Sequence, residues 1–595
     1  MMKKISSIFL IIYTCLLLVV FLSSCSDSQD TLNNTTTETV TTEKIYKTSG
    51  TCNDTVKWKY DASTSTFSYL GTGKITNADG IVESEESYWA GIAENIRFEE
   101  GITDAEKITF WIFDKIKSVY IPASYIGTIP KTEYIEKFIV AENNPKYSSD
   151  EYGVLFNQNK TEIIRFPKCS PIEFYEIPEG VTNISNDAFK ESKNLKTVTV
   201  PESLEGILST KFKESSVYLN PQNWEEDVFY VGDCLVEVDR ETKAENIVIR
   251  EGTRKIEAYA FSWCDNVKSI TIPDSVEVIG PQAFVSCSSL EKVYIGSGVK
   301  DMSGSPFDFE IEGLPCSKLK SIDVSDNNKH FRSVDGVLFS KDMAKLIQYP
   351  YGKTQKEYTV PDSVTCIYPG AFRYCNGLTK LIIGKGITVI DFIMLYGNDN
   401  IETVVLPDTL TKLDAGAFKY SGIKYIDIPD SVTYLGSEAM TGCSRLETVN
   451  IGKGVSYIDN CAIGSGVLKA VNVDRENKYF TSENGVLYNK DKTELCIYPV
   501  NAEGKVYRIP DSVKVIWPGA IGNSNYLEKI YVGEKTEKIG NGNFYGYKNE
   551  YYDDYRTQTT YEIYYDGTEK QWNKLFASEY EREDIDTSKL HFAQK

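Results

Sequence analysis

Residues 272–296 read IPDSVEVIGPQAFVSCSSLEKVYIG, and the stretch ends as it begins, with an isoleucine followed by a turn residue. The pattern recurs along the chain, with its turn residue at Pro178, Pro201, Arg250, Pro273, Gly296, Pro361, Gly384, Pro407, Pro429, Gly452, Pro510 and Gly533. Apart from three longer gaps, the spacing is 23 residues, with one step of 22 between Pro407 and Pro429. A fixed period of this size predicts a repeat solenoid.

One period shows how each turn of the solenoid is built. Its apolar or small positions are Val267, Ile270, Ile272, Val276, Ile279, Ala283, Phe284, Cys287 and Leu290. The alternation that ends at Ile272 predicts a short half-buried strand, and the following Pro-Asp-Ser predicts a turn. Because a single turn cannot bury its own apolar face, neighbouring turns must stack. We expect about twenty turns, mainly β with short turns or helical segments.

The composition fits a folded protein that works by contact. Of the 595 residues, 41% are hydrophobic and 25% are charged, which is typical of a globular chain. The net charge of -21 disfavours nucleic acid as a partner, because phosphate binding requires clustered Lys and Arg. The chain has 40 tyrosines and 2 histidines, which favours surface contact over acid–base chemistry near neutral pH.

The N-terminal residues predict export and anchoring. Residues 1–24 combine a basic start at Lys3 and Lys4 with an apolar run too short for a typical membrane span. The following Leu-Ser-Ser-Cys resembles the lipobox of bacterial lipoproteins, and this resemblance implies that Cys25 carries the lipid. Residues 25–46 are rich in Thr, Ser and Asn, so we expect a flexible tether after the lipid. The alternative is an ordinary secretory signal with an accidental cysteine.

Three repeats together carry a family resemblance. IPDSVEVIGPQAFVSCSSLEKVYIG, VPDSVTCIYPGAFRYCNGLTKLIIG (360–384) and IPDSVTYLGSEAMTGCSRLETVNIG (428–452) share the Ile-Pro turn, the Ala-Phe pair and a Cys-x-x-Leu step. This combination resembles the BspA-like leucine-rich-repeat surface lipoproteins, as do GTCNDTVKWKYD (50–61) and IYYDGTEKQWNKL (563–575) near the two ends. The resemblance implies a leucine-rich-repeat solenoid at the bacterial surface that adheres to host proteins, extracellular matrix or other bacteria.

A second unit interrupts the repeats. It contains Gly-Val-Leu starting at Gly153, Gly336 and Gly485, and each copy predicts two strands around a polar turn. We expect such hairpin-like units near 144–178, 327–361 and 476–510, with a degenerate copy at 230–249. The predicted organisation is an N-terminal β cap at 47–110, the solenoid at 111–546 and a C-terminal cap at 547–595.

The sequence lacks the motifs of common catalytic sites. It has no Gly-x-Ser-x-Gly, no P-loop, no Gly-x-Gly-x-x-Gly and no His-Glu-x-x-His, so we expect neither an enzyme nor a bound cofactor or metal. Eleven of its 13 cysteines follow Cys25, without a Cys-x-x-Cys pair. Cys264, Cys287, Cys375 and Cys443 recur in register, which predicts a small buried side chain rather than a disulfide framework.

The remaining candidate is the outward surface of the strands. Residues between the buried positions point outward, and the candidate binding residues are Thr271, Tyr294, Tyr425, Asp427, Asn450 and Tyr531. At roughly 4.8 Å per turn, the stack would form a ribbon on the order of 90 Å long. We expect this face to bind protein or glycan ligands, with the membrane contacted through the lipid anchor alone.

Two other functions stay open at this stage. One is a passive spacer or surface-coat protein that holds its ends away from the cell. The other is a glycan-processing lipoprotein, which would require a cluster of catalytic side chains in a cleft. In all three cases we expect the protein in the cell envelope, lipid-anchored and exposed at the surface.

Overall fold

The computed structural model describes residues 47–75, 85–105, 113, 115–129, 133–204, 206, 209–302, 304–307, 316–390, 393–459, 461–522, 524, 526–544, 546–547, 556–557, 560–577 and 585–593. By its contacts the chain divides into Met1–Thr48 and Ser49–Lys595, and the second unit is described below. The predicted signal peptide, Cys25 and the predicted tether lie outside the described residues. Among the described residues, no helix has both the length and the apolar character that a membrane crossing requires.

Two sets of strands run along the second unit. The long-strand ladder consists of Ser49–Thr51, Val56–Asp61, Thr66–Gly71, Asn95–Phe98, Ser118–Ile121, Lys137–Val140, Phe174–Glu176, Thr197–Thr199, Asn246–Val248, Ser269–Ile272, Lys292–Ile295, Ser321–Val324, Glu357–Thr359, Lys380–Ile382, Thr403–Val405, Tyr425–Ile428, Thr448–Ile451, Ala470–Val473, Val506–Arg508, Lys529–Val532, Glu562–Tyr565 and Leu590–Phe592. The short-strand ladder consists of Tyr147–Ser149, Leu155–Asn157, Glu162–Arg165, Asn183–Ile184, Trp224–Glu225, Val228–Val231, Cys234–Val238, Lys255–Ile256, Val278–Ile279, Phe331–Val334, Val337–Ser340, Lys345–Gln348, Cys366–Ile367, Val389–Ile390, Lys412–Leu413, Tyr434–Leu435, Tyr457–Ile458, Phe480–Glu483, Val486–Asn489, Glu494–Ile497, Val515–Ile516 and Lys538–Ile539.

Few other elements occur among the described residues. Three further strand pairs are Gly73–Lys74 with Ile102–Asp104, Met440–Thr441 with Ile463–Gly464, and Gly546–Tyr547 with Arg556–Thr557. The α-helices are Glu85–Ile92, Ser216–Leu219 and Glu569–Trp572, and the 3₁₀ helices are Ser209–Lys211, Pro221–Asn223 and Thr587–Lys589. The predicted mainly β solenoid is therefore confirmed, with about 19 turns.

The repeat period becomes the parallel register of the long-strand ladder. Ile270 pairs with Val293, which pairs with Ile322, so equivalent residues of successive turns lie side by side. All the apolar positions predicted from one period, Val267 to Leu290, are at most 1% exposed. The interior is filled mainly by Ile, Leu, Val and Phe side chains from successive turns. The segments 47–110 and 547–595 both supply strands to this same ladder.

The interrupting units are three-stranded meanders, one strand more than the sequence predicts. In the interrupting unit that starts at residue 331, Val337–Ser340 pairs antiparallel with both Phe331–Val334 and Lys345–Gln348. Its last strand then pairs in parallel with Cys366–Ile367. The units starting at residues 147, 224 and 480 follow the same scheme. Each meander therefore leads into the short-strand ladder and interrupts the long one.

A glycine lets each Gly-Val-Leu unit lie against the long-strand ladder. The amide of Ile322 donates a hydrogen bond to the carbonyl oxygen of Gly336 (2.9 Å), in place of a bond to another long strand. Gly336 has φ of 76°, and a Cβ added there would lie 2.7 Å from the Cβ of Ser321. Any larger residue would meet both backbone strain and a steric clash. The glycine at each predicted unit is thus required by this close approach.

A buried asparagine closes the turn before each of these three units. Asn328 is 1% exposed, and its Nδ2 donates to the carbonyl oxygens of Gly296 and Val299, both at 2.9 Å. Its Oδ1 accepts from the amides of His330 and Phe331, both at 2.8 Å. Asn144 and Asn477 make equivalent bonds in the other units. One buried side chain therefore satisfies four backbone groups of the turn. Sequence analysis did not single out these asparagines.

We predict that Asn328→Ala lowers the free energy of unfolding by about 3–5 kcal/mol, because two buried and two partly buried backbone groups lose their partner. Urea denaturation monitored by circular dichroism measures this change. The matched control is Asn327→Ala, one residue away and exposed, for which the change should stay within about 0.5 kcal/mol. Equal effects of the two substitutions would contradict the role given to Asn328.

The recurring cysteines are buried, as predicted, and they also donate hydrogen bonds. The Sγ of Cys287 donates to the carbonyl oxygen of Phe261 (3.0 Å), and the Sγ of Cys443 donates to that of Phe418 (3.2 Å). Asn398 stands at the same position of its turn, and its Nδ2 makes the equivalent bond. A small donor rather than a purely apolar group is thus what this position selects. All eleven cysteines of the described residues are free thiols.

Burial raises the pKa of the Cys443 thiol to about 11. An unfolded thiol has a pKa of about 8.5, so the folded state holds the proton of Cys443 more tightly than the unfolded state does. The resulting contribution to stability is fully present below about pH 8.5 and is lost as the pH rises toward 11. We predict that the difference in unfolding free energy between the wild type and Cys443→Ser shrinks between pH 8 and 11, by an amount on the order of 1–3 kcal/mol. A difference independent of pH would contradict this reasoning.

Candidate binding face of the strand ladder

Alternation in the long strands directs every second side chain outward, and these positions form the outward face. Parallel register then aligns equivalent residues of successive turns into columns along the ladder. The six candidate residues all lie in such columns. They fall into three patches, because the meanders near 331 and 480 interrupt the ladder between them. The structure therefore does not bring Tyr294, Tyr425 and Tyr531 together.

The first patch contains two of the candidates as neighbours. Thr271 pairs with Tyr294, and Tyr294 pairs with Asp323 on the next strand. The Tyr294 side chain is 39% exposed, so its ring is open to a partner from solution. Asp323 forms an ion pair with Lys292 (2.8 Å), and this contact raises the pKa of that lysine. Tyr294 thus stands beside a neutralised pair rather than beside a free charge.

The second patch contains a ladder of polar side chains. Nδ2 of Asn450 donates to Oδ1 of Asp427 (2.6 Å), and Nδ2 of Asn472 donates to Oδ1 of Asn450 (2.9 Å). Tyr425 lies in the adjacent column and is 49% exposed. Because each bond fixes the next side chain, the ladder holds its donors and acceptors in one orientation. Asn472 extends the predicted pair by one turn and was not singled out from the sequence.

The third patch is a stack in which Tyr531 lies between two other groups. The guanidinium of Arg508 lies 4.1 Å from the ring centre of Tyr531, and the ring of Tyr564 lies 4.9 Å away on the other side. His591 stacks on Tyr564 at 4.6 Å, and its Nε2 lies 2.6 Å from a carboxylate oxygen of Glu562. Tyr531 therefore presents the edge of its ring and not a face.

The repeat pattern does not predict Arg508, Tyr564 and His591 as partners of Tyr531. Tyr564 belongs to the segment that the sequence assigns to the C-terminal cap. The alternation in Glu562–Tyr565 is the signal that places Tyr564 on the outward face. No comparable signal gives the register of Leu590–Phe592. This strand pairs with Glu562–Tyr565, and the distance between the two along the chain differs from the repeat period.

Charged residues near the outward face are paired between turns. Lys268 pairs with Glu245 (2.7 Å) and Lys380 pairs with Glu357 (3.1 Å), each 23 residues apart. Such exposed pairs add little stability, but they neutralise each other. Within the three patches, tyrosine rings, amides and hydroxyls are the neutral groups that can contact a partner. Among the described residues, no group of three or more His, Cys, Asp or Glu is placed to hold a metal ion.

Parallel strands at a 22–23-residue period around an aliphatic interior define a leucine-rich-repeat solenoid. The family model of the BspA type leucine rich repeat region matches residues 160–234, 240–350 and 348–467 in six copies, just over half of the chain. The chain belongs to the BspA-type leucine-rich-repeat family. No curated protein matches it.

Several solved structures are similar to this chain. The pneumococcal vaccine antigen PcpA is 17% identical over 91% of this chain and 98% of its own, with a TM-score of 0.32. A leucine-rich repeat protein from Bacteroides ovatus is 19% identical over 62% of this chain and 97% of its own, with a TM-score of 0.34. One from Eubacterium ventriosum is 17% identical over 83% of this chain and 93% of its own, with a TM-score of 0.30.

We predict that Tyr564→Ala destabilises the C-terminal end of the solenoid by about 1–3 kcal/mol, because two ring contacts are lost at once. Thermal unfolding followed by tyrosine fluorescence measures the change. Tyr526→Ala, at a tyrosine 56% exposed, is the control and should leave the unfolding temperature nearly unchanged. If Tyr564→Ala also has no effect, the stack contributes nothing to the fold.

Proposed function

We propose that this chain is a lipid-anchored protein of the bacterial cell surface that binds host proteins, extracellular matrix, glycans or other bacteria through its outward face. The observation that carries the proposal is the set of exposed tyrosines and ordered amides in register along the long-strand ladder. Tyrosine supplies a large, rigid contact area at low entropic cost, and amides supply directional hydrogen bonds. This combination suits recognition by contact, without turnover of a substrate.

Family membership and the N-terminal residues support the location. BspA-type leucine-rich-repeat proteins are typically surface proteins. The Leu-Ser-Ser-Cys that ends at Cys25 resembles a lipobox, and one lipid-bearing residue before a polar tether would hold the solenoid at a membrane. The proposal assigns no role to nucleic acid, because the net charge of -21 opposes phosphate binding.

A passive spacer or surface coat is the second candidate. The observation that favours it is the pairing of charges between turns, since neutralised pairs give a face with little long-range attraction for a partner. The two functions differ in one measurable respect. A binding protein shows saturable affinity that depends on particular outward residues, whereas a spacer shows none.

We predict saturable binding of the purified protein to at least one immobilised matrix protein or arrayed glycan at physiological salt. Replacing Tyr294 and Tyr425 by Ser should weaken that binding at least tenfold, because both rings are exposed on the outward face. Tyr457→Ser is the matched control, since Tyr457 is 52% exposed but belongs to the short-strand ladder. Absence of binding to every ligand would shift the assignment to the spacer.

We predict that Cys25→Ala moves the protein from the membrane fraction to the soluble fraction, because the acyl chains supply the attachment. Fractionation of producing cells followed by immunoblotting measures the distribution. Cys461→Ala, at an exposed cysteine of the solenoid, is the control and should leave the protein in the membrane fraction. Membrane retention of the Cys25 variant would rule out the lipid anchor.

A further inference from the structure

The long-strand ladder leaves one strand edge open after the first meander. Phe174–Glu176 pairs with Thr197–Thr199, and these two strands form a sheet of their own. The amide of Thr197 donates to the carbonyl oxygen of Glu173 (3.1 Å), and the amide of Ile177 donates to the carbonyl oxygen of Thr199 (3.2 Å). By alternation, the outer residues of Phe174–Glu176 direct their N–H and C=O groups to the other edge. Among the described residues, no strand pairs there.

A cleft of 630 Å³ lies beside this edge. Its volume lies within the range of pockets that hold ligands. The residues on which the inference rests are Asp150, Glu151, Tyr152, Lys160, Phe174 and Glu176. Two aromatic side chains stand at its rim, since Tyr152 is 47% exposed and Phe174 is 52% exposed. The cleft therefore combines unpaired backbone groups with exposed rings.

A one-residue insertion distinguishes this meander from the other two meanders that contain Gly-Val-Leu. In each of these three meanders a serine accepts a hydrogen bond from the amide of a preceding long strand, and a glycine follows shortly afterwards. The corresponding segments are 149–153, 333–336 and 482–485, so the first has three residues between serine and glycine where the others have two. The three residues of the longer segment, Asp150, Glu151 and Tyr152, all line the cleft.

The lining of the cleft is negatively charged. Glu151, Glu176 and Glu179 are exposed and form no ion pair within the described part of the chain. Asp150 accepts a hydrogen bond from the hydroxyl of Tyr175 (2.7 Å). Lys160 is the one basic residue among the lining residues. A ligand with positive charge would therefore find complementary groups on several sides.

We propose that this cleft binds an extended peptide segment with Lys or Arg at alternate positions, which adds as a strand to the open edge of Phe174–Glu176. Strand addition supplies affinity through main-chain hydrogen bonds, and alternate side chains supply specificity. The ammonium or guanidinium groups meet the carboxylates and the rings of Tyr152 and Phe174. Phe174 and Glu176 are outward residues of their strand, but they lie in a different sheet from the three patches that contain Tyr294, Tyr425 and Tyr531.

The test uses the whole protein and acetylated eight-residue peptides that alternate Lys with Val, measured by isothermal titration calorimetry. We expect saturable binding of this peptide, which weakens with salt, and no binding of the Glu–Val peptide. Two further Lys–Val peptides carry N-methyl groups on the odd or the even backbone nitrogens. At least one of them should bind ten or more times more weakly, because it lacks the amide protons that a strand must donate.

Protein variants locate the site. Glu176→Pro removes an N–H that the fold leaves unused at an edge, where proline is tolerated, and should weaken binding at least tenfold. Glu176→Gln changes the charge alone and should weaken it several-fold. Thr359→Pro, at the equivalent position after the second meander, is the control and should leave binding unchanged.

Binding of both N-methylated peptides at full strength, or full binding by Glu176→Pro, would show attraction to an acidic surface and overturn the proposal. Absence of saturable binding would overturn it as well. Should Glu176→Pro fail to fold, the N-methylated peptides test the unaltered protein. Binding to matrix proteins or glycans through Tyr294 and Tyr425 is independent of these outcomes, so the two proposals fail separately.

Discussion

Hydrogen bonds between successive turns are the constraint on which the whole structure depends. The amide of Glu291 donates to the carbonyl oxygen of Lys268 one turn earlier (2.8 Å), and the amide of Lys320 donates to Glu291 (2.8 Å). The first step spans 23 residues and the second 29, yet the strands meet in the same register. Extra length is therefore accommodated between strands, where it does not alter the ladder. The interior follows from this register, because stacked turns bury their apolar positions against one another.

The meanders show how the chain behaves where the register is interrupted. Backbone groups that would pair with the next long strand must find other partners, since unpaired groups are costly inside a protein. Gly336 supplies one acceptor through a close approach, and Asn328 supplies four bonds from one side chain. On the upstream side of the break, the amides of Ile322 and Val324 are thus paired, with Gly336 and Ser333. On the downstream side an open strand edge remains, and after the first meander it borders the acidic cleft.

The interruptions also decide the character of the outward face. A continuous ladder would give one long ribbon of equivalent positions, whereas the breaks divide it into patches with different chemistry. Tyr294 stands beside a neutralised ion pair, Asp427 and Asn450 form part of an amide ladder, and Tyr531 is held in a stack. A large partner would contact more than one patch, while a small ligand would meet only one of these environments.

The sequence alone predicts the solenoid, because its period and apolar positions are local and repeated. It also predicts that Thr271 and Tyr294 point outward, since alternation determines the direction of a strand side chain. The one step of 22 residues, between Pro407 and Pro429, shortens a turn by one residue, and the adjoining strands pair through Thr403 and Tyr425 alone.

Contacts that depend on spacing outside the period were not accessible from the sequence. His591 reaches Tyr564 across 27 residues that follow no repeat. The sequence predicts only two strands in each meander. The strand it misses is the first one, which precedes the glycine that marks the unit. The open edge at Phe174 was also missed, since it follows from how the meander leaves the ladder and not from any motif.

Residue-level hydrogen exchange, measured by mass spectrometry with electron-transfer fragmentation, would test whether one parallel register runs along the solenoid and is interrupted by the meanders. We expect slow exchange for the amide of Ile322, held by Gly336, and for that of Tyr175, together with fast exchange at Phe174 and Glu176. Fast exchange at Ile322, or equal protection of all three residues of Phe174–Glu176, would contradict this expectation.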